Sequence, residues 1–227
     1  MIIDFHIHTR FSYDSVMSPR KILSVAKKRG LDGIVVCDHH TIKGGLEVKR
    51  MNRDNGFTVI VGAEIATDAG DVTGIFLTEE IESRKFSEVA LEIRKQGGKV
   101  ILNHPYKGHD LSKIDFSLVD FIEGYNARLN EADNQKAIKL AEKYAIPVVA
   151  GSDAHLYAEI GNCKTYVTCL ETLRIEKTEY KESPFFYTAL SQYIKSIKRK
   201  SLKIFFSATV VYIKHCCQYI FQKNIEF

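Results

Sequence analysis

The stretch Met1–Thr9, MIIDFHIHT, decides how the rest of the chain is read. Ile2–Ile7 is a short run rich in isoleucine, the composition of a strand, and His6 and His8 stand at its end. Residues two apart on a strand project from the same face, so the two imidazoles are aimed together. Two histidines placed in this way can grip one metal ion.

Similar runs recur along the chain: Gly33–Cys37, Thr58–Ile65, Val72–Leu77, Lys99–Leu102, Phe121–Gly124, Pro147–Ala150 and Tyr166–Cys169. They are short, rich in Val and Ile and mostly continuous, which suits strands buried on both faces of a parallel sheet. Helical stretches lie between them. Ser18-Pro19 opens one, with serine as N-cap and proline at the first helical position, and Gly30 ends it. Phe86–Gln96 is a second, ended by Gly97-Gly98, and Glu131–Tyr144 a third. Strand–helix repetition of this kind predicts an α/β fold with right-handed crossovers, for which a barrel is the natural closure.

The strand ends carry the chemistry. Asp38 and His39 follow GIVVC, Glu64 closes VIVGAE, His104 follows KVILN, and Asp153 and His155 follow PVVAGS. In a parallel barrel, active sites are built at the C-terminal ends of the strands. A single histidine there is more often structural. Five of the eight histidines in such places are a collective signal, because carboxylates and imidazoles buried together are costly without a cation. His40 should point away from His39 and is read as a loop residue, His109 and His215 lack this context, and Cys37 is read as core.

Taken in order, DFHIHT, CDHHT, GAEI, NHP and GSDAH resemble the PHP (polymerase and histidinol phosphatase) superfamily, from residue 2 to about 169. The resemblance implies a distorted (β/α)7 barrel over residues 1–170, two or three divalent ions (zinc, manganese or iron) and phosphoester hydrolysis. It assigns His6, His8, Glu64 and Asp153 to a first metal. Glu64 would bridge to a second that also takes His104. Asp14, His39 and His155 would bind a third. Two departures matter. Asp14 stands where His is frequent, and Ala66–Asn103 contains no His, so Asp71 in GDVTG is the candidate for the remaining second-metal ligand. Asp153, His155 and Arg128 are the candidates for catalysis. Arg10, Lys107, Asn126 and Arg128 are candidates for holding substrate, since an arginine fork suits phosphate. For the cations, a solvated surface position is an equal alternative. Glu123 is read as buried structural support.

Composition is ordinary for a globular chain: 227 residues, 45% hydrophobic, 26% charged, net charge +4. Five cysteines with no CxxC argue against a disulfide framework and for a reducing, cytoplasmic setting. The N-terminus lacks the basic-then-apolar pattern of a signal peptide. Composition shifts near residue 170, which sets off a mostly helical C-terminal extension over residues 171–227. In it, Glu171–Glu182 reads as loop, Ser183-Pro184 opens a helix to Lys200 with a basic cluster, KSIKRKSLK, running across its end, and Ile204–Ile213 is an apolar run too short to span a bilayer. This extension is expected to dock on the barrel, with a basic membrane-surface or nucleic-acid-binding tail as the alternative. No Gly-x-Ser-x-Gly elbow or Walker A loop occurs, which disfavours serine-hydrolase and NTPase chemistry. The expectation is a metal-dependent hydrolase of small phosphomonoesters or nucleotides. The alternatives are an exonuclease acting on nucleic-acid ends, with nucleic acid as partner, and a non-catalytic metal-binding module.

Overall fold

The computed structural model describes residues 1–223; the last residues of the C-terminal extension, 224–227, lie outside them. One mixed sheet organises the chain. Its strands are β1 (Ile2–Ile7), β2 (Gly33–His39), β3 (Thr58–Thr67), β4 (Gly70–Ile75), β5 (Lys99–Leu102), β6 (Phe121–Asn126), β7 (Val148–Gly151), β8 (Cys163–Cys169) and β9 (Arg174–Tyr180). Their order is β7-β6-β5-β4-β3-β2-β1-β8-β9. The sheet curls until the chain after β7 meets β1. Ile7 and Ala154 form a parallel bridge, and Ser152 N–H donates to Asp4 Oδ1 at 2.9 Å. This is the nearly closed, distorted α/β barrel that the sequence predicts.

Two strands depart from the expected all-parallel arrangement. β4 runs antiparallel to both β3 and β5, and β8 is antiparallel to β1. Only Asp68-Ala69 separates β3 from β4, far too short for a crossover, so the chain turns back as a hairpin. The segment Glu171–Glu182, expected as loop, contains β9, an edge strand whose charged side chains face solvent and discourage further pairing. The β8–β9 hairpin straddles the composition change, and Leu173 and Ile175 join the barrel core.

That interior core takes residues from every strand, among them Ile3, Phe5, Val35, Ile60, Ile101, Phe121, Val149 and Val167. The other faces pack under helices. α1 (Pro19–Lys28) starts at Pro19 as expected, but Ser18 does not cap it through its side chain; Tyr157 Oη donates to that hydroxyl instead. Ile22, Leu23 and Ala26 bury its apolar face, and a fully buried Ile or Leu contributes about 1.5–3 kcal/mol. α2 (Lys43–Met51), α3 (Phe86–Lys95) and α4 (Glu131–Tyr144) complete the barrel's helices. Asn130 caps α4 by accepting from Asp133 N–H at 2.9 Å.

α5 (Phe185–Lys198) and α6 (Leu202–Lys223) form a helical hairpin. α5 lies against the site end of the barrel. Lys198 Nζ donates to the carbonyls of Arg10, Ser12 and Ser15, which clamps the loop after β1. α6 packs on α5 through Tyr193, whose ring meets Phe205 at 5.3 Å and whose hydroxyl bonds Thr209 at 3.1 Å. Among the described residues, no helix is long and apolar enough to cross a membrane.

Candidate metal centre

The site begins with an irregularity in β1. Ile3 and Phe5 point into the barrel, and strict alternation would put Ile7 there too. The register shifts between Asp4 and Ile7. Ile7 therefore packs outward with Met17, Ile22 and Val48, while His6 and His8 turn into the site. On β2 and β3 the alternation is unbroken: His39 and Glu64 follow Cys37 and Gly62 on the inward face and pair across the two strands.

Three groups of donors lie close enough to share cations: His6, His8 and Glu64; His8, His39 and His155; and Glu64, Asp71 and His104. Asp153 and Asp14 adjoin them. Asp153 Oδ1 is 3.4 Å from His8 Nε2, and Asp14 approaches His39 and His155, each at 3.1 Å. Glu64 is central. Its Oε1 is 3.2 Å from His104 Nε2, and its Oε2 is 2.9 Å from His39 Nδ1 and 3.5 Å from His8 Nε2. Thus the nine candidate ligands converge at one place.

Second contacts orient the rings. His6 Nδ1 is 2.8 Å from Glu123 Oε1, His8 Nδ1 is 3.0 Å from Ser12 Oγ, and His155 Nδ1 donates to the carbonyl of Asp153 at 2.8 Å. Each leaves its Nε2 facing the centre, the usual arrangement of metal-binding histidines. Two ligands sit on strained backbone: Asp153 has φ 51° and His104 φ 26°, left-handed values uncommon outside glycine. Gly151 is required here for room, since a side chain would run into the Glu123 carboxylate and His6.

The charges test the fit of a metal. Buried Glu64 Oε2 and Asp14 Oδ1 have no donor aligned for a hydrogen bond, although His39 Nδ1 and His155 Nε2 lie 2.9 and 3.1 Å from them. Burial pushes against ionisation of Glu64 and Asp153, but the surrounding histidines outweigh it and hold both carboxyls well below the usual range. Burial, with His155 and His39 nearby, lowers His8 to about 3, so it is a neutral ligand at neutral pH. Burial also opposes charge on His39, yet Glu64 and Asp14 raise it to about 10. The site is thus built around positive charge, and its hard carboxylate and imidazole donors suit zinc, manganese or iron.

The structure distributes the other candidates unevenly. Lys107 lines the cavity of about 290 Å³ over the donors, with Nζ 4.0 Å from Asp153. Asn126 is buried; its amide donates to Glu123 at 3.0 Å and lies 3.4 Å from Asp153, so it supports ligands rather than meeting a substrate. Arg128 reaches the cavity edge, but its fork is closed on buried Glu159 at 2.8 and 2.7 Å, and its remaining nitrogen donates to Ser191 of α5. Arg10 pairs with Glu47 at 2.9 Å and is not among the residues lining the cavity.

Several contributors escape a reading by motif. Asp38 accepts from the backbone and hydroxyls of Thr9 and Ser12 and so shapes the loop that carries Asp14. Asn103 donates to Glu64 Oε1 at 3.0 Å. His109 packs edge-on against His104, with centroids 5.7 Å apart. Tyr13 stacks on His39 at 4.3 Å, and Lys195 of α5 and Arg199, which caps its C-terminus, stand over the Tyr13 ring. Thr188, Gln192 and Lys195 line the cavity. The charge of HTRFSYDS and the SDAHLYAE run hint at Asp14 and Glu159. Nothing in the sequence alone ties α5 to the mouth.

Comparisons with known proteins agree with this architecture. Residues 131–173 match the family described as PHP-associated. "Uncharacterized protein MJ1587" of Methanocaldococcus jannaschii is 37% identical over 143 residues, covering 56% of this chain and 84% of that protein. "Uncharacterized protein MJ0417" of the same organism is 33% identical over 193 residues, covering 79% and 74%. A two-domain protein of Bacteroides vulgatus containing a predicted PHP-like metal-dependent phosphoesterase superposes with a TM-score of 0.65 at 21% identity, over 77% of this chain and 61% of that one. With its ordered motifs, its barrel and these relatives, the chain belongs to the PHP superfamily.

Proposed function

We propose that this chain is a metal-dependent phosphoesterase acting on small phosphomonoesters or nucleotides. One observation carries the proposal: three donor groups overlap on Glu64 and His8 beneath an open cavity, with buried carboxylate oxygens of Glu64 and Asp14 that no aligned hydrogen bond satisfies. His6, His8, Glu64 and Asp153 would hold a first ion, Glu64, Asp71 and His104 a second, and Asp14, His39 and His155 a third. Divalent ions in such a site act as Lewis acids on a phosphoryl oxygen and lower the pKa of water to about 7.

The chain's own residues supply the rest. Asp153 Oδ2, fixed beside Asn126 and Lys107, is placed to accept a hydrogen bond from the attacking water and orient it. Lys107 stands over the cavity with an exposed ammonium and neutralises charge developing on the phosphoryl group. Arg128, closed on Glu159, contributes a fixed positive charge and holds the loop of Asp153 and His155 rather than forking onto phosphate. His155 Nε2 faces Asp14, and its Nδ1 proton is committed to a carbonyl, so it acts through ligation.

The test is elemental analysis of purified protein together with release of phosphate from p-nitrophenyl phosphate, with and without EDTA. Bound divalent metal and chelator-sensitive turnover are expected. Metal-replete protein inert on phosphomonoesters and nucleotides alike would refute it. A second reading, an exonuclease acting on nucleic-acid ends, is favoured by Lys195, Arg199 and Tyr13 grouped beside the cavity. It requires oligonucleotide binding that weakens steeply with salt.

A further inference from the structure

The helical hairpin encloses a second space. A groove of about 670 Å³ runs between α5 and α6, walled by Phe185 and Ala189 on one helix and Ile204, Ala208 and Val211 on the other. The walls follow helical spacing, positions 185 and 189 on α5 and 204, 208 and 211 on α6, so one face of each helix lines it. Ala189, Ser207 and Ala208 are small, and the two helices therefore cross without filling the space between them.

Thr188, Gln192 and Lys195 line this groove and also the cavity over the metal donors. The two spaces share a wall: carboxylates and imidazoles at one end, a lysine at the junction, an apolar trough beyond. Ligand pockets for molecules of moderate size fall at about 300–1,000 Å³, mostly apolar with a few polar anchors. The cavity alone suits a phosphate group; the groove adds room for an apolar body joined to it.

We propose that the groove receives the apolar part of the substrate, so that the preferred substrates are phosphate esters of hydrophobic alcohols. The proposal rests on the phosphoesterase reading and adds the identity of the ester's other half. Its occupant is a substrate rather than a second copy of the chain because the groove and the donor cavity are lined by the same three side chains, Thr188, Gln192 and Lys195, so a ligand anchored in one lies beside the other. Lys195 at the junction then meets the phosphate while the hydrocarbon lies along Ala189 and Ala208.

The experiment is titration calorimetry of the metal-loaded, full-length protein with methylphosphonate and octylphosphonate, both non-hydrolysable, the latter below its micelle concentration. A fully buried methylene strengthens binding about fourfold, so the octyl compound should bind at least tenfold tighter. That ratio should fall towards one in Ser207→Trp, at an exposed position on the groove, and in Ala208→Trp, within it. Equal affinities in the wild type, or a tail advantage that survives both substitutions, overturns the proposal. A tail advantage that both substitutions abolish, in protein that cannot hydrolyse p-nitrophenyl phosphate, upholds the groove and places the failure in the phosphoesterase reading.

Discussion

The Nε2 atoms of His6 and His8 face each other at 3.0 Å, although the Nδ1 of each ring is already engaged. Glu123 Oε1 accepts a hydrogen bond from His6 Nδ1–H. Ser12 spends its only hydroxyl proton on Asp38, so it accepts from His8 Nδ1. Two bare lone pairs would then oppose each other, and a positive charge must lie beside them. Among the protein's own groups that charge is a proton on His6: burial opposes it, but the carboxylates of Glu123, Glu64 and Asp153 outweigh burial and raise His6 well above its ordinary value.

Metal uptake should therefore release protons. His6 is raised, and His39, at about 10, is protonated at neutral pH; both must deprotonate to ligate. Adding zinc or manganese to metal-free protein in weak buffer at pH 7, with an indicator dye, should release at least one proton per chain. Affinity should weaken as pH falls, because protons compete for the same nitrogens. Uptake without acidification contradicts this arrangement.

Glu64 belongs to two donor groups, Asp71 to one. Glu64→Gln should therefore lose more metal equivalents than Asp71→Asn, which should lose about one, both read by elemental analysis. Chelation should also destabilise the wild type. An ion present at about a thousandfold its Kd stabilises by ~4 kcal/mol, so EDTA should lower Tm by roughly 8–16 °C. A Tm unmoved by chelator, in protein shown to have held metal, would argue against this coupling.

Gly44, at the start of α2, lies against Asp38 and Thr9, where an added Cβ would overlap both side chains. Asp38 cannot move freely, because it accepts the hydrogen bonds that shape the loop from Thr9 to Ser12. Gly44→Ala should cost about 1–3 kcal/mol in urea unfolding and reduce metal retention through displaced Asp14. Unchanged stability and metal content would show that the loop tolerates the shift.

How legible this molecule is depends on where its information resides. Ligands at the ends of apolar runs are visible, because a strand end, a histidine and a carboxylate are local features. β1's histidines could be grouped by spacing, but the register shift that turns them inward while Ile3 and Phe5 remain in the core belongs to the pairing with β2. The antiparallel course of β4 was readable from its short link to β3. α2 was obscured by Gly44-Gly45, which weaken helix propensity and are kept for close contact with Asp38 and Val61. β9 was hidden by its charge, which is what an exposed edge strand requires. The meeting of α5 with the site depends on contacts between residues more than sixty positions apart, such as Arg128 with Ser191.

Arg128 and Glu159 form a buried pair, with side chains 4% and 0% exposed and two parallel hydrogen bonds. Glu159 Oε2 also accepts from the backbone N–H of His155 and Leu156, so the same carboxylate fixes the arginine and the loop that delivers Asp153 and His155. Glu159→Gln keeps the shape but leaves the buried guanidinium without its counter-charge. Breaking such a pair from one side costs about 3–5 kcal/mol, which urea unfolding would register. Arg128→Lys keeps the charge and loses the fork, so it should cost less stability while loosening the loop. If the pair acts through that loop, both variants lower kcat more than they raise KM. A selective rise in KM for phosphate esters would instead mean that Arg128 leaves Glu159 to grip the substrate.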